Sequence, residues 1–368
     1  MNIVAIAGST IPSDTANSLQ VMKACQALVQ VGHEVTLLVP GAKNTSVDLQ
    51  KHYGLQVDFP IEWLASSSRR RFTWDAVRRA SGLKAELIYS WFPQSAVFGL
   101  LRGLPVIFEI HIQPTGFFGP LWHRAFAVLP GRKRLVSITG ALVQLLERDF
   151  HIRFPPEEVV IAPNGVDLER FGSLPDPVAA RRQIGLREAQ TVMCTGHLYA
   201  GRGAELFLSL AKYFSHVQFV WVGGRPEDIK IWDQKAESGN VTFTGFIPNQ
   251  ELPTYQAAAD ILLMPYSRSI MGSSGSADSA AVASPMKMFE YMAAGRAIVS
   301  ADLPVIREVL NERNAIFCEP DEVESWKSEI KSLLDQEAQR IELGNQARQD
   351  VQGYTWVARA KRIMNNFP

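Results

Sequence analysis

The chain opens NIVAIAG (2–8), continues SDTANSLQVMKACQALVQVG (13–32) and then HEVTLLVP (33–40), and these three stretches decide the fold. The first is a short, unbroken apolar run of strand length. The second spaces Leu19, Met22, Leu28 and Val29 at helical intervals and stops at Gly32; the third is a second apolar strand ended by Pro40. Strand, helix, strand with apolar runs on both sides of the helix is the pattern of a parallel sheet covered on both faces.

The alternation continues. ELIYSW (86–91), PVIFEIH (105–111), RLVSITG (134–140) and VVIAPNG (159–165) read as further strands. GVDLERFGSLPDPVAARRQIG then carries two prolines and mixed charge and reads as a linker with a short helix. A second series follows: TVMCTGH (191–197), VQFVWVGG (217–224), VTFTGF (241–246), DILLMPY (260–266), AIVSA (297–301) and NAIFCE (314–319), with helix-like AELFLSLAKYF (204–214) and KMFEYMAAG (287–295) between them. The expected architecture is α/β with two doubly wound, Rossmann-like domains and a boundary near residue 165. Residues 267–284, rich in Ser, Ala and Gly, read as a mobile loop.

Composition narrows the function. The 368 residues suffice for two cores, and 46% hydrophobic with 20% charged is an ordinary globular balance. Lys plus Arg and Asp plus Glu each number 37, which argues against a general nucleic-acid binder. Three distant cysteines, Cys25, Cys194 and Cys318, suggest buried reduced thiols and a cytoplasmic protein. Met1 runs straight into a strand with no basic segment before it, so no secretory leader is expected, and no apolar run approaches the ~18 residues of a membrane span. One segment is basic: Arg69, Arg70, Arg71, Arg78, Arg79 and Lys84, interleaved with Phe72, Trp74 and Val77. It reads either as a solvated helix face or as a surface for anionic lipid headgroups or a phosphorylated acceptor.

The missing motifs matter as much. The turn after the first strand, AGSTIPSDT, lacks the G-x-G-x-x-G of a dinucleotide dehydrogenase; there is no P-loop and no Asp-x-Asp to hold a divalent metal on a sugar diphosphate. Backbone amides and cations must then neutralise any diphosphate. GHLYAGRGAELF (196–207) has the parts for this. A strand-to-helix turn aims free N–H groups at an anion, Arg202 can grip two phosphate oxygens, and Gly201 and Gly203 admit close approach. Alone, a Gly-Arg-Gly turn is a common helix start. In SPMKMFEYMAAGRAIVS (284–300), Pro285 opens a helix, and Glu290 on its first turns could accept both hydroxyls of a ribose or merely cap the helix. In FEIHIQPTG (108–116), His111 sits at the carboxyl end of a strand, where open parallel sheets bind ligands, and Glu109 two residues earlier could orient it.

Taken together, GHLYAGRG, GFIPNQELPTYQAAADILLMPY and SPMKMFEYMAAGRAIVSADLPVIREV resemble the family 4 retaining glycosyltransferases of the GT-B fold, as do GHEVTLLVP, VVIAPNGVD and YTWVARAKRI, so the resemblance covers nearly the whole chain. It implies two domains facing across a cleft, residues 1–165 and 166–353, the first completed by a C-terminal helix at 354–368. It also implies a retaining hexosyl transfer from a nucleoside-diphosphate sugar to a glycan or lipid-linked acceptor in polysaccharide biosynthesis, without a metal or other cofactor. The family's commonest usage implies a UDP-sugar, and the implied location is cytoplasmic or peripheral at the inner membrane face. The implied catalytic residues are His111 near the anomeric carbon, Arg202 at the diphosphate and Glu290 at the ribose. The implied donor-binding set is Gly8, Ser9, Thr10, Gly196, His197, Arg202, Ile247, Pro285, Lys287, Met288 and Glu290. Departures are Arg202 where the family usually has lysine, His197 where it usually has arginine, and Val282 where the first glutamate of the paired-glutamate motif would fall. Two other readings share the fold: a nucleotide-sugar 2-epimerase, for which no proton-transfer set is found, and a non-catalytic sugar-nucleotide-binding protein.

Overall fold

The computed structural model describes residues 1–43, 46–66, 68–270 and 280–367. The central part of the segment read as a mobile loop, residues 271–279, lies outside the described residues. The chain divides into two compact units, Met1–Asn164 with Trp356–Pro368, and Gly165–Thr355.

The first unit is built on a parallel sheet of β1 (Asn2–Ile6), β2 (Glu34–Pro40), β3 (Ile61–Leu64), β4 (Leu87–Ser90), β5 (Val106–Ile110), β6 (Lys133–Ser137) and β7 (Val159–Ile161), ordered β3-β2-β1-β4-β5-β6-β7. The central strands are buried end to end because helices cover both faces. β3 escapes the sequence pattern: it is a four-residue edge strand, half-buried throughout, too short to show a period. The helix Ala16–Gln30 begins where Thr15 accepts from the Ser18 amide and buries Val21, Met22, Cys25 and Leu28. The helix Trp356–Met364 returns to this unit, packs on Ala16–Gln30 and buries Trp356 and Ile363.

The second unit repeats the plan with β8 (Thr191–Thr195), β9 (Gln218–Val222), β10 (Val241–Phe243), β11 (Ile261–Met264), β12 (Ala297–Ala301) and β13 (Ile316–Cys318), ordered β10-β9-β8-β11-β12-β13. In each sheet the order reverses once: beside β1 and β4 in the first unit, beside β8 and β11 in the second. At such a reversal the loops leaving adjacent strands diverge to opposite faces and open a crevice at the carboxyl ends. All three cysteines are buried and free, and burial pushes the Cys194 and Cys318 thiols up, the latter to about 12.

Candidate functional site

The crevice of the first unit is a pocket of about 810 Å³, lined by the loops after β1, β4 and β5. Gly8 and Ser9 form its β1 side; Thr10 is exposed and does not line it. Glycine is required at position 8 because a Cβ there would lie 2.0 Å from the Phe92 ring. Ser9 is buried and donates its hydroxyl hydrogen to Asn17.

His111 and Glu109 both line the pocket, one residue beyond and one residue before the end of β5. The His111 ring meets Glu109 through Nε2, 2.6 Å from Oε1. Glu109 is fully buried and accepts three further hydrogen bonds: from Gln20 at 2.6 Å, from Arg359 at 2.6 Å and from the Tyr89 hydroxyl. Burial opposes its charge, but the Arg359 guanidinium and the His111 contact outweigh it and hold the carboxyl at about 2. The same cluster raises Tyr89 well above the usual phenol range, through burial first and the Glu109 charge second.

The basic segment forms the helix Arg69–Gly82. It is not a uniform cationic face. Arg79 makes a two-pronged pair with Glu62 at 2.7 Å, and Arg71 lies 3.7 Å from Asp75. Arg69 lines the pocket and stacks 4.3 Å from the Phe92 ring centre, and Arg70 sits over Phe118 at 5.7 Å. Beside them Phe117 is 82% and Phe118 55% exposed, an unusual outlay of aromatic surface next to guanidinium groups.

In the second unit the turn after β8 carries Gly196, whose φ of +121° favours glycine; its amide donates to the Val222 carbonyl and its carbonyl accepts from the Trp221 indole at 2.8 Å. Gly203, φ +87°, opens the helix Ala204–Tyr213 and passes so close to the loop after β11 that a Cβ would lie 1.9 Å from the Pro265 carbonyl oxygen. Beside that contact two cations share one ring. Arg202 lies 5.5 Å from the Tyr266 ring centre with its Nη1 3.4 Å from the Tyr266 hydroxyl, and Lys287 Nζ lies 4.9 Å from the same centre and 3.5 Å from the Cys194 sulfur. Lys287 also reaches the space where a Cβ on Gly196 would point, at 3.8 Å. His197 stacks on Tyr199, ring centres 4.9 Å apart, and Arg225 lies over Tyr199 at 5.7 Å.

Pro285 is itself the cap of the helix Met286–Ala294, one position earlier than the first-turn place expected for it, and the Met288 amide donates to the Pro285 carbonyl. Glu290 is therefore a full turn inside the helix and is no capping carboxylate. It is buried, and it accepts from Asn249 Nδ2 at 3.4 Å and Gln256 Nε2 at 3.2 Å. Arg170 lies near enough for the Glu290 charge to offset part of the burial that depresses its guanidinium. Ile247 is half-buried in the turn after β10, and Met288 is buried in the helix. Val282, where a glutamate would complete the family pair, is buried. The residues that sequence reasoning missed are Tyr266, Arg170, Asn249 and Gln256 here, and Gln20, Tyr89 and Arg359 around Glu109. Each is brought in by a tertiary contact, and none forms a local motif with the residue it serves. Among the described residues no three His, Cys, Asp or Glu side chains are grouped to hold a metal ion, and no helix is long and apolar enough to cross a membrane.

Two family models match this chain, Glycosyltransferase Family 4 over residues 19–170 and Glycosyl transferases group 1 over residues 189–336. The chain belongs to glycosyltransferase family 4. Its two sheets are those of the GT-B fold: the solved structure of Anabaena Alr3699/HepE in complex with UDP and glucose superposes with a TM-score of 0.74 at 14% identity, covering 99% of this chain and 98% of that one. Among curated family relatives, the GDP-mannose-dependent alpha-(1-6)-phosphatidylinositol monomannoside mannosyltransferase of Mycobacterium tuberculosis is 33% identical over 121 residues, 30% of this chain. That match spans 31% of the relative's length. The phosphatidyl-myo-inositol mannosyltransferase of Mycolicibacterium smegmatis is 25% identical over 94% of this chain and 88% of its own.

Proposed function

We propose that this family 4 member transfers a hexose from a nucleoside-diphosphate sugar to a hydroxyl of a glycan or lipid-linked acceptor, with retention at the anomeric carbon and without a metal. The observation that carries the reading is the pair of cations, Arg202 and Lys287, held over the Tyr266 ring beside the Gly196 turn at the strand-order reversal of the second unit. Two cations and a glycine turn suit a diphosphate, whose charge grows as the glycosidic bond breaks, so their attraction strengthens toward the transition state. Glu290, held by two amides, is suited to accept the ribose hydroxyls.

Among the described residues lining the first-unit pocket the one carboxylate is Glu109, and it is not free to act as a nucleophile because it is saturated by four donors. The proposed route has the acceptor hydroxyl attack on the face that the nucleoside diphosphate leaves, with a leaving phosphate oxygen taking the proton, while His111 positions the sugar. The exposed Phe117 and Phe118 beside Arg69 and Arg70 suit an acceptor presented at an anionic lipid surface. The names of the relatives support a lipid-linked acceptor. They leave GDP and UDP as the two donor arms to test, UDP being the family's commonest usage.

The test is transfer from labelled GDP- and UDP-hexoses, in EDTA, to acceptors supplied free or in anionic vesicles, with the product anomer read by NMR. An α-linked product from an α-linked donor in chelator supports the reading. An inverted product, epimerised donor without transfer, or activity that returns only with Mg²⁺ or Mn²⁺ refutes the corresponding element.

A further inference from the structure

The Glu109 cluster contains a charge that the proposed transfer does not use. Arg359 comes from the returning helix Trp356–Met364, 250 positions away from Glu109, and is buried. Its Nη2 donates to Glu109 Oε1 at 2.6 Å, while its Nε donates to the carbonyls of Ala162 at 3.2 Å and Pro163 at 3.0 Å, just beyond β7. The guanidinium is thus fixed at both ends. Glu109 in turn faces Gln20 and Cys25 from the helix Ala16–Gln30, Tyr89 from β4, and His111 from the end of its own strand. A carboxylate only accepts, so the His111 nitrogen that meets it, Nε2, carries the hydrogen. Nδ1 makes no hydrogen bond among the described residues and is the ring nitrogen left for a substrate.

We propose that Arg359 is a positioning residue for His111: it keeps Glu109 a carboxylate, and the carboxylate locks the ring as the Nε2–H tautomer with Nδ1 available to the pocket. The chain of contacts is Arg359 to Glu109 Oε1 to His111 Nε2, all within the first unit. Without Arg359, burial leaves Glu109 two ways to settle its charge. It takes a proton, becomes a donor and lets the ring hydrogen move to Nδ1, or it draws a proton onto the ring and makes an imidazolium. In both cases Nδ1 changes from acceptor to donor, so the group that meets the substrate reverses its hydrogen-bonding sense. A part of this chain far from position 111 in sequence thereby decides what that histidine offers. The inference rests on the reading that His111 acts on the sugar.

The experiment is imidazole ¹⁵N–¹H correlation spectroscopy on the full chain labelled at histidine, with His111→Gln used to assign the ring. Wild type is expected to show the neutral Nε2–H pattern. Arg359→Met is expected to show an imidazolium or Nδ1–H pattern at 111 and to lower kcat by about tenfold, the worth of one hydrogen bond to substrate, with KM for the donor little changed. Arg359→Lys keeps a cation beside Glu109 and should restore the wild-type pattern. A folded Arg359→Met protein with the wild-type ring pattern overturns the proposal. If that variant does not fold, Arg359→Gln keeps a hydrogen-bond donor beside Glu109 and removes the cation. Loss of the Nε2–H pattern in this folded variant supports the proposal, and its retention overturns it. Undiminished turnover in His111→Gln would sink the role given to His111 in transfer while leaving the tautomer result to stand on its own.

Discussion

Replacing Glu290 by glutamine keeps the shape of the side chain and removes its charge. The carboxylate is held ready: Asn249 and Gln256 each donate to one of its oxygens, at 3.4 and 3.2 Å, and each oxygen retains a lone pair for a ribose hydroxyl. A hydrogen bond to a charged group contributes ~1.5–3 kcal/mol and one between neutral groups ~0.5–1.5. Two hydroxyls that lose the charged partner therefore cost roughly 2–3 kcal/mol, or about 30- to 150-fold in affinity for the nucleoside diphosphate. The glutamine also presents one NH₂ group to an amide that already donates, and it removes one of the two carboxylates, Glu290 and Asp167, that offset the desolvation of the half-buried Arg170, so some loss of stability is expected as well. Calorimetry with a 2′,3′-dideoxynucleoside diphosphate separates the two effects. That ligand should bind wild type and Glu290→Gln alike, whereas the ribose form should distinguish them. Equal affinity of the ribose form for both folded proteins would refute the ribose assignment.

Two further outcomes are expected. Arg202→Ala should lower turnover by roughly a hundredfold, the effect of losing one preorganised charge at the departing group, with a smaller change in donor affinity; a raised KM at unchanged kcat would mean that the contact is equally strong in ground and transition states. The Glu109 cluster should make the first unit acid-sensitive: with the carboxyl moved from the ordinary 4.5 to about 2, its stabilisation is complete above pH 4.5 and disappears as pH falls through about 2, a loss of roughly 3 kcal/mol. Urea unfolding across that range reads it, and a midpoint that stays level while other carboxylates are matched by an Arg359→Met control would refute it.

The strands of both sheets are largely legible because buried parallel strands read as unbroken apolar runs, and NIVAIAG or VQFVWVGG admits little else. β3 is the exception, and its position explains why. An edge strand of four residues is half-buried on every residue, so Ile-Glu-Trp-Leu carries neither a continuous apolar run nor an alternation long enough to count. The start of the helix Met286–Ala294 is displaced by one residue for a similar reason. Pro285 is extended, at φ −67° and ψ 125°, so it stands just outside the helix and Met286 is the first helical residue.

Legibility of the candidate site divides along another line. His111 and Glu109 can be paired from sequence because residues i and i+2 at a strand end share a side, and the Gly196–Gly203 turn can be recognised because a strand-to-helix turn has a local signature. What those groups can do chemically is set by partners with no local signature. Arg359 lies 250 positions from the carboxylate it compensates, and Tyr266 lies 64 positions from the arginine it carries. In the second unit this follows from the doubly wound topology. The reversal of strand order places β8 beside β11, so the turn that carries Arg202 and the loop that carries Tyr266 come from separated parts of the chain. In the first unit the counter-charge comes instead from the returning helix Trp356–Met364, which brings Arg359 to Glu109 on β5. In both, the partner fixes geometry or protonation, and there the constraint is on contact and charge rather than on spacing. Substitutions such as Arg202 for the family's usual lysine should be judged against that partner: a planar guanidinium can lie over the Tyr266 ring and reach its hydroxyl, whereas an ammonium, as Lys287 shows, approaches the same ring as a point charge.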